Sequence, residues 1–188
     1  MLKSIQKGFT LIELIIVITI LVLLGVVVIV LIDPAEILAQ FRDSQCISDL
    51  ASMKGATQLV LAGGVPSASL RSYCGTGFPA TSTSSYLGSS TSTAQQVDGT
   101  GWIRINYTAT STPTGRALTS LPIDPKNTES DGLYYRWGCV YGSDNIYSYE
   151  VDAKLESAKY TTEDNKASRD GGNNAGRYEI GNRLDVIQ

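Results

Sequence analysis

Residues 7–32 read KGFTLIELIIVITILVLLGVVVIVLI, and the rest of the chain is best read outward from them. From Leu14 to Ile32 the run is apolar apart from Thr19 and Gly25. As a helix it spans about 29 Å, close to the hydrocarbon thickness of a bilayer. A secretory signal has a shorter apolar core and a small-residue cleavage site after it. This run ends instead in Asp33-Pro34. Lys3 and Lys7 precede it, so the positive-inside rule puts the N-terminus in the cytoplasm and residues beyond 33 outside. One carboxylate, Glu13, stands at the front of the run. A charge at that depth is costly unless something pairs with it.

Two readings of Glu13 are open. The local one is a capping box, with Thr10 as N-cap and Glu13 three residues into the helix. The other starts from the neighbouring residues. Lys7-Gly8-Phe9-Thr10-Leu11-Ile12-Glu13-Leu14 resembles the prepilin motif of type IV pilins and type II secretion pseudopilins. The resemblance implies cleavage between Gly8 and Phe9 by a prepilin peptidase, and methylation of the new Phe9 amine. It also implies a homo-oligomeric helical filament in which a Phe9 ammonium pairs with the Glu13 carboxylate of a neighbouring subunit. In a low-dielectric bundle such a pair sets register, because a slip strands both charges.

Domain boundaries follow. Residues 1–8 are a leader, 9–32 a transmembrane and later filament-core helix, and 33–188 a globular head. The expected fold class is α+β and pilin-like. A long N-terminal helix, apolar in its first half and amphipathic in its second, packs on a small antiparallel sheet. Gly25 and the β-branched run Val26–Val30 weaken the helix locally. Many pilins carry a proline within this span; here the first is Pro34. Asp33 as N-cap, Pro34 and Glu36 restart a helix that runs to about Leu61 and stops at Gly63-Gly64 before Pro66. Its expected buried stripe is Ile37/Leu38, Phe41, Cys46, Leu50, Met53, Thr57 and Val60/Leu61.

Residues 65–100 are rich in Ser, Thr and Gly and read as a long surface loop, with 81–85 and 89–93 as candidate O-glycan sites. Asn106-Tyr107-Thr108 is an N-glycosylation sequon. A strand is expected at 102–107, with Ile103, Ile105 and Tyr107 on one face. Leu133–Tyr141 and Tyr147–Leu155 alternate around Gly142–Asn145, which predicts an antiparallel hairpin with one buried face. Its tyrosines are expected in the core.

The sheet region extends the resemblance. Leu121-Pro122-Ile123-Asp124-Pro125 looks like a segment of major-pseudopilin-like subunits. The loop with Asp164, Asn165, Asp170 and Asn173 resembles one that holds calcium in some of them, and oxygen-rich side chains suit a hard cation. Calcium is thus the candidate ligand, and no cofactor is required.

Composition bounds the rest. The 188 residues carry a net charge of -3, with no histidine. Loss of Lys3 and Lys7 with a leader would make it -5. Without a basic patch, nucleic acid is not indicated as a partner. Without histidine the commonest general base is missing. No G-x-S-x-G, P-loop or Cys-x-x-Cys occurs, and the S-x-x-K at Ser4–Lys7 and S-D-N at Ser143–Asn145 fall on opposite sides of the apolar run. An enzyme is not expected. Three cysteines allow one bridge in three pairings. Cys74–Cys139, tying a loop to a strand, is preferred; Cys46–Cys139 and three reduced thiols stay open.

The resemblance implies a lipid bilayer as first partner, then inner-membrane assembly machinery. Location passes from the inner (cytoplasmic) membrane to an extracellular filament at the cell surface. A secretion pseudopilin is the alternative within the family. A membrane-anchored binding module or adhesin is the alternative outside it.

Overall fold

A computed structural model describes residues 8–63, 74–76, 86–108, 118–141 and 147–187. The chain divides into two compact units, Met1–Leu38 and Ala39–Gln188.

In the first unit, α1 (Leu11–Leu31) is continuous through Gly25. Its window Leu11–Ile29 has a mean hydropathy of 3.3 and no buried residue. The helix needs no amphipathic face, because lipid or other apolar helices can surround it. It ends at Ile32, an extended residue whose N–H still donates to Val28 O. Asp33 then caps the next helix, α2 (Pro34–Ala62). Asp33 Oδ1 accepts from the N–H of Ala35 at 3.0 Å and of Glu36 at 3.3 Å. Two donors left over at the helix start are satisfied in this way.

Within the second unit, α2 buries Ala39, Asp43, Cys46, Leu50, Met53, Ala56, Thr57 and Val60. The expected stripe holds from Cys46 onward but not before it. Phe41 is 69 % exposed, and Ile37 and Leu38 also face outward. The buried positions ahead of Cys46 are Ala39 and Asp43, one turn apart on the same face.

The sheet contains β1 (Gly75–Thr76), β2 (Tyr86–Ser89), β3 (Tyr135–Tyr141), β4 (Tyr147–Ala153) and β5 (Tyr178–Gly181). The order is β1-β3-β4-β5. β2 lies antiparallel along the first half of β3, and the short β1 runs parallel along its end. β3 with β4, and β4 with β5, are antiparallel. The expected β3–β4 hairpin forms, with Trp137 opposite Val151 and Cys139 opposite Tyr149. Its turn, 142–146, lies outside the described residues.

One face of this sheet meets α2. Tyr135, Trp137, Cys139, Tyr149 and Val151 join Cys46, Leu50, Met53 and Val60 in one apolar cluster. The tyrosine hydroxyls find acceptors as they are buried. Tyr135 Oη donates to Asp49 Oδ2 at 2.9 Å, and Tyr149 Oη to Lys54 O at 3.4 Å. Trp137 stacks on Tyr149 with centroids 5.4 Å apart. The Cys74–Cys139 disulfide ties the segment before β1 to the centre of the sheet, and Cys46 is a buried free thiol.

Three expectations change. First, the opposite face is not solvated: Ser148, Glu150 and Asp152 of β4 are buried as well. Val186 and Ile187, also buried, lie against it through hydrogen bonds to Glu150. Second, residues 102–107 form no strand. Trp102, Ile103, Ile105 and Tyr107 are buried, but this segment makes only an isolated bridge, Asp98 with Asn106. The apolar alternation is that of a loop folded into the core, without a ladder partner. Third, 86–100 is ordered packing, not free surface loop. It holds β2, buried Val97, and Gly88, where a Cβ would sit 1.8 Å from Trp102 O. Ser90, one of the candidate glycan positions, is buried; its Oγ donates to Asn127 Oδ1 and accepts from Tyr135 N. The candidates at 81–85 lie outside the described residues.

Leu121–Pro125 is a structural clasp. Gln95 Nε2 donates to Leu121 O at 2.9 Å, and Trp102 Nε1 to Pro122 O at 3.2 Å. Asp124 Oδ1 accepts from the N–H of Lys126 and Asn127. Its Oδ2 accepts from the Cys46 thiol at 3.5 Å. Burial pushes that thiol well above its usual range, so it is inert.

Candidate functional site

Gly8 and Phe9 sit in exposed, extended chain ahead of α1. Phe9 is 85 % exposed, and a Cβ at Gly8 would meet no atom within 4 Å. Nothing in the fold of this chain therefore demands glycine at position 8. The demand is left to whatever reads the segment.

Thr10 and Glu13 form the capping box. Thr10 Oγ1 accepts from Glu13 N at 3.3 Å, while Glu13 Oε2 accepts from Thr10 N at 2.9 Å and Thr10 Oγ1 at 2.7 Å. The reciprocal bonds satisfy donors at the helix start. They also hold the carboxylate one residue from the Phe9 amide nitrogen, the atom that cleavage after Gly8 would turn into an amine.

The side chains of the candidate calcium loop are engaged within the chain. Asp164 is engaged by Lys166 Nζ and Arg169 Nη1, each at 2.7 Å. Hydrogen bonding from Lys166, with the charge of both cations, holds its carboxyl below the usual range. Asn165 Oδ1 accepts from Ser168 N at 3.0 Å. Asp170 spends Oδ1 on Gly172 N and Oδ2 on Glu179 N, both at 2.8 Å. These are turn-forming bonds within an Asp/Asn/Gly loop. No contact of Asn173 with the other three is recorded among the described residues.

A different acidic group lies on the covered face of the sheet. Glu150, Asp152 and Glu179 bring one carboxylate oxygen each within 4.8 Å of one another, all buried. Asp152 is matched by Arg136, which grips it with Nε and Nη2, and by Arg177 Nε at 2.6 Å. Glu150 Oε2 accepts from Val186 N at 2.8 Å and Ile187 N at 3.0 Å. Glu179 Oε2 accepts from Asn174 N at 3.2 Å. The other oxygens, Oε1 of Glu150 and of Glu179, are buried with no hydrogen-bond donor among the described residues. Burial pushes the Glu150 carboxyl up to about 8, aided by facing Glu179 and opposed by the Ile187 and Val186 N–H groups. Glu179 is raised too, chiefly by burial. Sequence reading missed this group because Glu150 and Asp152 alternate with core residues as a solvent-facing strand edge would.

The profile of the prokaryotic N-terminal methylation motif matches residues 3–31. Neither a curated protein nor a solved structure matches the chain significantly. The match covers Gly8, Phe9, Thr10 and Glu13 and all of α1, and it points to a structural subunit, not an enzyme. The N-terminal segment of this chain is thus the prepilin signal of the type IV pilin and pseudopilin family, followed by an α+β head arranged as in pilins.

Proposed function

We propose that the chain is the structural subunit of a type IV pilus-like filament, cut between Gly8 and Phe9 by a prepilin peptidase and methylated on Phe9. The observation that carries this is the match of the methylation motif at residues 3–31, directly on an apolar helix whose side chains the rest of the chain leaves uncovered. Before assembly α1 resides in the inner membrane, with the head on the outer side. On assembly it moves from lipid into a bundle of α1 helices. Lipid is already apolar, so close packing and charge pairing drive that transfer, not hydrophobic burial. The Glu13 carboxylate exchanges its Thr10 donors for the Phe9 ammonium of the next subunit. The pair fixes axial register because each partner left alone in the bundle is expensive.

The Ser/Thr-rich stretch 65–100 favours a long exposed fibre, while Leu121–Pro125 favours a short secretion pseudopilus. Electron microscopy of expressing cells and of their sheared fraction tests this. Long fibres containing the chain are expected. Short periplasmic assemblies would select the secretion pseudopilin, and chain confined to membranes with no fibre would select the anchored binding module.

A further inference from the structure

We infer that Glu150 and Glu179, with Asp152 behind them, form a buried site for one hard divalent cation of the calcium class, between β4 and β5. This site is separate from the Asp164–Asn173 loop and does not depend on whether the chain polymerises. Its basis is the pair of orphaned oxygens. Glu150 and Glu179 are 0 % and 1 % exposed, and among the described residues the Oε1 atom of each meets no donor other than the facing carboxyl when that is protonated. A buried carboxylate oxygen without a donor or a counter-ion is costly.

Charge counting points the same way. Asp152 is held between Arg136 and Arg177, so both guanidiniums of the cluster are taken up by one carboxylate. Glu150 and Glu179 make no ion pair among the described residues, and a divalent ion would supply the countercharge that lets both ionise. Three backbone N–H groups, from Asn174, Val186 and Ile187, bind the Oε2 atoms. Such donors favour the ionised form of both acids and fix the two Oε1 atoms in place. The 4.8 Å limit on the spacing of the three carboxylate oxygens fits ligands at about 2.3–2.6 Å from a common calcium.

The surroundings are built for this rotamer of Glu179. A Cβ at Gly172 would come within 1.6 Å of Glu179 Oε2, so a larger residue there would displace the Glu179 carboxylate from this rotamer. Access comes from a cleft of about 390 Å³ whose wall includes Asp170 and Glu179. Lys54, Lys166 and Arg169 also line it, the last two engaged by Asp164. The remaining coordination positions fall to water entering by this cleft.

The test uses the full chain in detergent, stripped with a chelator and titrated with calcium chloride up to about 1 mM, the range of extracellular calcium modules. We expect one calcium bound per chain by equilibrium dialysis and a saturable rise in Tm. Glu150→Gln and Glu179→Gln should lose that rise, and Asp164→Asn should keep it. Terbium luminescence excited through the tyrosines, and its displacement by calcium, reads the wild-type site should the Gln variants not fold. The proposal is overturned if dialysis and terbium both detect no site. It is also overturned if Asp164→Asn abolishes the response, which would place the ion on the loop. A Tm that falls as pH rises from about 6 to 9, with calcium having no effect, would assign the pair a shared proton instead.

Discussion

Glu13 Oε2 receives both donors of Thr10, the backbone N–H at 2.9 Å and the hydroxyl at 2.7 Å. The acid is therefore anchored at the start of α1, close in sequence to the Gly8–Phe9 bond proposed as the cleavage site. Capping is the use of this carboxylate within the single chain; intersubunit pairing is the use proposed for it during assembly.

Separating the two uses is a matter of choosing the substitution. Glu13→Gln keeps a side-chain oxygen for Thr10 and removes the charge. Glu13→Leu removes both. Each variant should still insert and be cleaved, because α1 stays apolar. Neither should give wild-type filament yield, and Glu13→Gln should rescue little over Glu13→Leu. Quantifying sheared filaments against membrane-held subunit checks this. Full yield from Glu13→Gln would reduce Glu13 to a helix cap.

Asp43 ties α2 to the chain after β4. Its Oδ1 accepts from Glu156 N at 3.0 Å, and its Oδ2 from Ser157 N at 2.8 Å and Ser157 Oγ at 2.5 Å. Asp43→Ala leaves these buried donors unpaired, at about 1–3 kcal/mol each before relaxation. Chemical denaturation should show a loss of about 2–4 kcal/mol, with Asp43→Asn intermediate. A loss under about 0.5 kcal/mol, the size of an ordinary surface change, would contradict the assignment.

The Cys74–Cys139 bridge closes a loop with a sequence separation of 65. Replacing both by serine should cost about 2–4 kcal/mol. Intact mass under non-reducing conditions should show two hydrogens fewer than the reduced chain. Alkylation before reduction should modify none of the three cysteines in the folded state, since Cys46 is buried. Rapid labelling of Cys74 or Cys139 would contradict the bridge.

Glu156 joins Arg42 and Lys126, the latter at 2.6 Å. Burial pushes its carboxyl up, but hydrogen bonding and charge from the two cations outweigh that and leave it lowered from 4.5. A lowered folded-state pKa means that the stabilisation is present above the unfolded value of 4.5 and is lost as pH falls through the folded one. Arg42 and Lys126 are partly exposed, so the gain is about 1 kcal/mol or less. Thermal melts should place Glu156→Gln below wild type at neutral pH, with the gap closing at pH below 4.5. A gap that persisted in acid would have another origin.

The helices were legible because their signals are local. An uninterrupted apolar run, the Thr10–Glu13 spacing and the Asp33-Pro34 cap each act within a few residues. The hairpin was legible from its period of two. What stayed hidden depends on distant partners. Glu150 and Asp152 look like a wet strand face until Arg136, Arg177 and the 186–187 segment cover them. Asp43 looks like an exposed helix acid until Ser157 arrives. Ile103, Ile105 and Tyr107 mimic a strand because a loop can also alternate as it enters a core. Phe41 fits the helical period but points away from the sheet, since Ala39 and Asp43 take the inward face.

The most direct test is intact and N-terminal peptide mass spectrometry of the chain recovered from the cells that make it. A mature chain beginning at Phe9 with one methyl group on its α-amine is the expected result. A chain that still begins at Met1, or an unmodified amine at any other position, would contradict the filament account at its root.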